Sequence, residues 1–231
     1  MNDVDFIETL LLTGKLAFWT TLILFVISMP IAYILAYRRF FMRSFVEALI
    51  SIPMVLPPIV LGFYLLLLYN PTSAFGGWWE STFGSRLAFS FEGILIGSII
   101  FGLPIMMQPL RSGFMGIPSN LSDAAETLGK SRINIFFNIL IPNMIPSIIT
   151  SIALTFAHCI GEFGVIIMVG GNIPGETRVA SIAIYDQVQA LQYDEANRYS
   201  LILFLIAITI LTLIYSLNNR SRKNQNDYAE N

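Results

Sequence analysis

Leu16–Tyr37 reads L-A-F-W-T-T-L-I-L-F-V-I-S-M-P-I-A-Y-I-L-A-Y and contains no Asp, Glu, Lys or Arg. A helix crossing about 30 Å of hydrocarbon needs roughly 20 predominantly apolar residues, so this run is long enough to span a membrane. Four further stretches qualify: Ala48–Tyr69; Gly93–Leu110, which is short and carries Pro104 and Pro109; about Pro142–Val169; and Tyr199–Leu217. With flanking turns, the predicted spans cover about 14–37, 46–69, 91–110, 142–169 and 199–217, in a single transmembrane domain over 1–231. Transmembrane β-strands would be about 10 residues long with alternating polarity. These runs are longer and continuously apolar, so the predicted fold class is an all-α integral membrane protein of about five transmembrane helices.

Composition agrees. The chain has 231 residues, 55% of them hydrophobic and 12% charged, with a mean hydropathy of +0.69. A soluble domain carries about 25% charged residues, so half that density leaves too little polar surface for a soluble enzyme. Disorder needs low hydrophobicity and high net charge and is excluded with it. A formal net charge of −2 excludes a generally basic nucleic-acid binder, and the single cysteine, Cys159, excludes a disulfide framework or a cysteine-cluster metal site.

Orientation follows from the Lys/Arg asymmetry across the spans. Arg38, Arg39, Arg43, Arg111, Lys130, Arg132, Arg220, Arg222 and Lys223 fall on one side. Arg86, Arg178 and Arg198 fall on the other, with Lys15 at the outer start of span one. The first side is therefore predicted to be cytoplasmic, the N-terminus outside and the C-terminus inside. Met1–Thr9 has no Lys or Arg, unlike a secretory signal peptide, so span one is expected to be retained. Trp78 and Trp79, in the outer loop 70–90, suit an interfacial aromatic belt, with a partner contact as the alternative.

The cytoplasmic segment 111–141 is long enough to have a function of its own. Its centre, Ile117–Arg132, reads I-P-S-N-L-S-D-A-A-E-T-L-G-K-S-R. Ser119 or Asn120 can act as N-cap, and Asp123 and Glu126 fall in the early turns favoured by the helix dipole. Leu121, Ala124, Ala125 and Leu128 form one apolar stripe, and Gly129 ends the helix, with Lys130 and Arg132 beyond. A helix of about two turns is marginal alone and needs something to pack against. Gly129-Lys130-Ser131 imitates the end of a phosphate-binding loop, but G-x-x-x-x-G-K-[ST] requires glycine where Ala124 stands, and no strand precedes it. Any ATP that drives this chain is bound by another polypeptide.

These residues resemble the E-A-A-x-x-x-G-x₉-I-x-L-P signature of permease subunits of binding-protein-dependent ABC importers. Asp123-Ala124-Ala125, Gly129, Ile139 and Pro142 match its spacing, while Asp123 replaces Glu and Ile141 replaces Leu. In that family the segment is the coupling helix that docks on the ATPase. The resemblance implies a type I importer permease fold and coupling residues Leu121, Asp123, Ala124, Ala125, Glu126, Leu128, Gly129, Lys130 and Arg132. Pro53-Met54-Val55-Leu56-Pro57-Pro58-Ile59-Val60-Leu61-Gly62, Gly161-Glu162-Phe163-Gly164 and Asn172-Ile173-Pro174-Gly175-Glu176-Thr177-Arg178 resemble molybdate permeases in particular. His158 stands where that resemblance places arginine. What is implied is a transport subunit rather than an enzyme. It would work in a bacterial-type inner membrane as a pair of copies, with a cytoplasmic ABC ATPase dimer carrying ATP-Mg and an extracytoplasmic molybdate-binding protein. It would hold no cofactor, metal or nucleic acid of its own. Tungstate, sulfate or another oxyanion is the alternative cargo. A secondary transporter or channel and a membrane anchor are the alternative classes.

Ionisable groups inside a span are functional candidates by default. His158 and Glu162, at i and i+4, are predicted to share a face of span four, as a gate element or as a local packing pair. A carboxylate beside an oxyanion path would repel the cargo, which argues against Glu162 as a ligand. No Lys or Arg lies deep in any span, so passage would rely on helix ends, hydroxyls and backbone amides near proline and glycine breaks. The pathway or gate candidates are Pro57, Pro58, His158, Gly161, Glu162 and Gly164. In the outer loop 170–198, Asn172, Pro174, Glu176 and Arg178 are candidates for docking the binding protein, with a solvated loop as the alternative.

Overall fold

The computed structural model describes residues 3–229, with side chains over 5–216; Arg220, Arg222 and Lys223 lie outside the described side chains. Regular structure among the described residues is helical: α1 Asp3–Tyr37, α2 Arg43–Val55, α3 Pro58–Tyr69, α4 Ala74–Phe83, α5 Phe91–Met115, α6 Ser119–Thr127, α7 Arg132–Ile135, a π-helical turn Phe136–Leu140, α8 Ile141–Gly161, α9 Gly164–Gly170, α10 Ala180–Gln189 and α11 Tyr193–Ala229. Helices dominate because every backbone polar group in hydrocarbon must be satisfied within its own segment.

α5 is the most buried span and α11 the most exposed. α1 lies parallel along α5. At one end the Lys15 ammonium sits 4.4 Å from the centre of the Phe91 ring. At the other the Tyr37 hydroxyl donates to the Phe114 carbonyl at 3.0 Å. α8 completes a three-helix centre with Leu24, Met106, Leu110, Phe114 and Met144 at its core. α11 packs outside α8, through Leu203 and Ile210 against Ala17, Cys159 and Ile160. Its Tyr199 ring stacks on Phe6 at 3.9 Å.

The second predicted span is two helices. α2 and α3 meet at 110°. The break itself, as distinct from its angle, has a local cause: the residue before a proline is driven from the α region to extended backbone. Leu56 precedes Pro57 and Pro57 precedes Pro58, and their ψ values are 139° and 135°. Pro58 then starts α3, a position where its missing N–H costs nothing. The pair still runs the length of α5. Glu47 of α2 binds Arg111 near the end of α5, while the Tyr69 hydroxyl at the end of α3 donates to the Gly93 carbonyl near the start of α5. Gly93 and Arg111 are about 27 Å apart along a helix rising 1.5 Å per residue. With this bent pair counted as one span, the described residues hold five candidate crossings. Pro30, Pro104, Pro109 and Pro146 lie inside continuous helices, so among prolines of the apolar spans only Pro57–Pro58 marks a break.

The fourth predicted span is also longer and broken. Its helix begins at Arg132, passes through the π-turn and ends at Gly161. Glu162 (φ −68°, ψ 132°) and Phe163 interrupt it before α9. The fifth spans Tyr193–Ser216 among the described side chains, starting earlier than its apolar run. The two loops predicted to face outward each hold a helix, α4 and α10, where the apolar pattern predicts only loop.

Candidate functional site

Three places carry the residues singled out by sequence. The first is α6. Gly129 follows it with φ +74°, and the Lys130 N–H donates to the Ala125 carbonyl at 3.0 Å and the Gly129 N–H to the Glu126 carbonyl at 2.9 Å. This is a Schellman-type end, which favours glycine because a Cβ is strained at that φ. The start differs from expectation. Pro118 occupies the N-cap and no side chain caps the helix, so neither Ser119 nor Asn120 plays that part. Pro118 (ψ 132°) supplies the extended backbone that lets the helix begin one residue later.

The apolar stripe divides. Ala125 is 7% exposed and packs in the central core beside Phe114, Ile135 and Leu140. Leu121 is exposed, Ala124 is exposed and Leu128 is 79% exposed. Asp123, Glu126, Lys130 and Arg132 are exposed too, and the Glu126–Arg132 pair at 4.0 Å contributes little. One small residue thus holds α6 to the bundle while its other apolar groups stay uncovered. Beneath it, Tyr33, Tyr37, Phe114 and Phe136 form an aromatic cluster with centroids 5.2–6.2 Å apart, tying α1, α5 and the π-turn together. A cavity of about 230 Å³ separates α6 from the end of α1, lined by Tyr33, Tyr37, Arg38, Asp123, Glu126 and Arg132. The signature isoleucine, Ile139, lies in the π-turn, whose looser winding is common at functional positions.

A carboxylate clamp here was missed by sequence reading. Glu47 Oε1 accepts from Arg43 Nε at 2.8 Å and pairs with Arg111 Nη2 at 2.9 Å, joining α2 to α5. The i,i+4 spacing of Arg43 and Glu47 is a visible signal; Arg111 is too distant in sequence for any periodicity to report it.

The second place is where the two helix breaks meet. A Cβ placed on Gly164 would lie 2.6 Å from Pro58 Cβ, and one on Gly62 would lie 2.7 Å from Met168 Cβ. The Pro57-Pro58 and Gly161-Glu162-Phe163-Gly164 breaks therefore face each other at near-backbone contact. Gly161 has open space around it. The His158–Glu162 pairing does not form: the His158 ring lies 5.0 Å from Phe101 with Nε2 unpartnered, and Glu162 is 4% exposed with both carboxyl oxygens unpartnered. The buried Ser98 hydroxyl of α5 is likewise without a hydrogen-bond partner. The Ser181 hydroxyl of α10 donates to the Glu162 backbone carbonyl at 2.6 Å.

The third place is the turn between α9 and α10. Ile173 accepts from the N–H groups of Glu176, Thr177 and Arg178, with Gly175 at φ +78°. Asn172 and Arg178 are not free for docking in this arrangement. The Asn172 amide donates to Asp186 at 2.6 Å, and Arg178 Nε donates to Asn172 at 2.5 Å. Pro174 and Glu176 are exposed.

An exposed short helix held by one alanine, next to a signature spaced as in importer permeases, is matched by relationship. Residues 28–223 match the family described as binding-protein-dependent transport system inner membrane component. The chain belongs to this family. It is accordingly a multi-pass inner-membrane transport component and not an enzyme. Among relatives of this family member, the molybdenum transport system permease protein ModB of Azotobacter vinelandii is 38% identical over 205 residues, covering 89% of this chain and 91% of that one. ModB of Escherichia coli K12 is 33% identical over 185 residues, 80% of each chain. The sulfate transport system permease protein CysT of the same strain is 28% identical over 195 residues, 84% of this chain and 70% of that one. The fold is that of a chain of a bacterial alginate ABC transporter crystallised with its alginate-bound periplasmic protein, with a TM-score of 0.79 and 19% identity over 95% of this chain and 80% of that one. A chain of the MetNI methionine ABC transporter has a TM-score of 0.70 at 16% identity, covering 96% and 99%. Permeases of this family work with an ATPase and an extracytoplasmic binding protein, and the fold and the uncovered α6 fit that division of labour.

Proposed function

We propose that this chain is the membrane-path subunit of an ATP-driven importer of molybdate or tungstate, acting as two copies. The ATPase dimer that drives it carries the ATP-Mg and grips α6. The N-terminus faces outward and the described end of α11 inward, as the Lys/Arg asymmetry requires. The observation that carries the reading is α6: anchored by Ala125, uncovered at Leu121, Ala124 and Leu128, and followed by Gly129 in the left-handed conformation.

The geometry supplies a route for coupling. Force applied to α6 passes through Ala125 and the Tyr33–Tyr37–Phe114–Phe136 cluster into α1 and α5, and through α7 and the π-turn into α8. α8 ends at Glu162, where the Pro58–Gly164 contact links it to the bend between α2 and α3. Motion of α8 is thereby transmitted to both broken spans. α3 and α9 contain no Lys or Arg, so nothing in them holds a dianion tightly, and selectivity resides mainly in the delivering binding protein.

The test is uptake into vesicles by purified permease, ATPase and binding protein, with molybdate, tungstate and sulfate in competition. ATP- and binding-protein-dependent accumulation of molybdate, competed by tungstate and not by sulfate, is expected. Sulfate accumulation in preference would move the assignment to the sulfate branch, and uphill uptake by this chain alone would overturn it.

A further inference from the structure

Among the described residues, two non-glycine positions have left-handed backbone: Phe89 (φ +62°) and Leu191 (φ +60°). A Cβ in that region crowds the following carbonyl, so such a residue persists only where something repays the strain. Phe89 is held from within the chain. Its N–H donates to the Val169 carbonyl at 2.8 Å, and a Cβ on Gly171 would lie 3.1 Å from its ring. Leu191 closes α10 as Gly129 closes α6. Its N–H donates to the Val188 carbonyl at 3.0 Å and the Gln192 N–H to the Gln187 carbonyl at 2.9 Å, a pattern in which glycine is the usual occupant. A leucine stands there instead, and its side chain is 71% exposed. Val188 and Tyr193 beside it are exposed too, Asp194 and Glu195 form the first turn of α11, and an open depression of about 420 Å³ runs from Leu191 to Glu195.

This turn lies at the end of the bundle opposite α6. The Phe6–Tyr199 stack and the bond from the Ala180 N–H to Thr13 Oγ1 put α10 and the start of α11 beside the start of α1, whereas the cavity under α6 is at the far end of α1. The turn also stands clear of lipid. The apolar run of α11 begins at Tyr199; Tyr193 is six residues of helix before it, a rise of about 9 Å, and Leu191 precedes Tyr193. The headgroup layer adds only about 5–8 Å on each side of the hydrocarbon. Segments 1–15, 70–92 and 170–198, which meet at this end, carry nine Asp or Glu against four Lys or Arg.

We propose that the α10–α11 turn is a docking knob for the extracytoplasmic binding protein, with Leu191 seated in an apolar pocket of that partner and Asp194 and Glu195 against a basic rim. The inference rests on the importer reading above and gives it a surface. An apolar centre flanked by charge is the anatomy of a protein interface, and an acidic side selects a basic counterpart. Docking covers the leucine, which accounts for a side chain kept where glycine would be unstrained. Two of the residues that sequence offered for this task build the knob instead: Asn172 and Arg178 close on Asp186 of α10 and hold that helix in place.

Leu191→Gly removes the side chain and relieves the backbone together, so folding and docking move in opposite directions. The unfolding midpoint is expected at or above that of wild type. The Kd of the permease–ATPase complex in nanodiscs for the molybdate-loaded binding protein of the same transport system is expected to rise roughly tenfold or more. Asp194→Lys should slow association roughly threefold or more at low salt, with the difference shrinking as salt is raised. Undiminished binding by Leu191→Gly overturns the proposal, and so does a lowered midpoint, which would make Leu191 a residue of the fold. Association of Asp194→Lys at the wild-type rate overturns the basic rim. A wild-type complex that binds no binding protein overturns the importer reading as well, whereas wild-type binding matched by Leu191→Gly overturns this surface alone.

Discussion

Gly161 and Gly164 bracket the same break, yet the structure assigns them opposite sensitivities to one added methyl group. At Gly164 the new Cβ would meet Pro58 Cβ at 2.6 Å, Ile59 N at 3.4 Å and Pro58 C at 3.5 Å. Carbon atoms rest about 3.5–4.0 Å apart, so α9 and α3 must separate by roughly 1 Å. Neither side can yield by a rotamer change, because the proline ring is fixed to its backbone. Such overpacking costs about 1–3 kcal/mol. With a stability of about 2–4 °C per kcal/mol for a chain of this size, Gly164→Ala is expected to lower the unfolding midpoint by roughly 2–12 °C. Gly161 has nothing within 4 Å and no positive φ, so Gly161→Ala is expected to leave the midpoint unchanged or raise it slightly.

The assay is thermal unfolding of the purified permease followed by tryptophan fluorescence. All variants are run at one scan rate, because membrane proteins unfold irreversibly and the apparent midpoint depends on it. Trp78 and Trp79 report on the region concerned, since α4 packs on the end of α3 through the Tyr69–Phe75 contact. A Gly164→Ala midpoint at or above that of Gly161→Ala would refute the reasoning. The Pro58–Gly164 contact would then not be what fixes the bend between α2 and α3.

Leu128→Glu changes an exposed residue, so the midpoint should hold within about 0.5 kcal/mol while recovery of the ATPase with the permease falls roughly tenfold or more in co-purification. Glu47→Ala leaves Arg43 and Arg111 facing each other. A loss of about 1 kcal/mol is expected at low salt, shrinking as salt screens the pair, and read from midpoints at two ionic strengths. Thr177→Val removes a hydroxyl that donates to the Gly170 carbonyl at 2.7 Å and accepts from the Ile173 N–H at 3.1 Å, at a cost of about 1–3 kcal/mol, and Thr177→Ser should restore the midpoint.

What the sequence disclosed and what it hid divide along one line, the sequence distance over which each feature is determined. Apolar runs and the left-handed end at Gly129 are decided within a turn or two of helix, and they were legible. So was a break at Pro57–Pro58, since a proline after a proline forbids helix; the interruption at Glu162–Phe163 was not, because the fourth span reads as one continuous apolar run over 142–169. The 110° at the first break was not legible, because nothing near Pro58 sets it. It is set by α9, more than a hundred residues later, through a glycine small enough to seat the proline. The same holds for the Glu47 clamp, whose second arginine arrives with α5, and for Asn172, which looked free until Arg178 and Asp186 closed on it. His158 and Glu162 show the opposite failure. Their i,i+4 spacing is a valid local rule, but α5 offers His158 an aromatic face at Phe101 and the backbone leaves the helix at Glu162, so the two separate. The Glu47–Arg111 pair and the Pro58–Gly164 contact each join two helices far apart in sequence, and on the function proposed above they are links through which a push on α6 would reach the middle of the membrane.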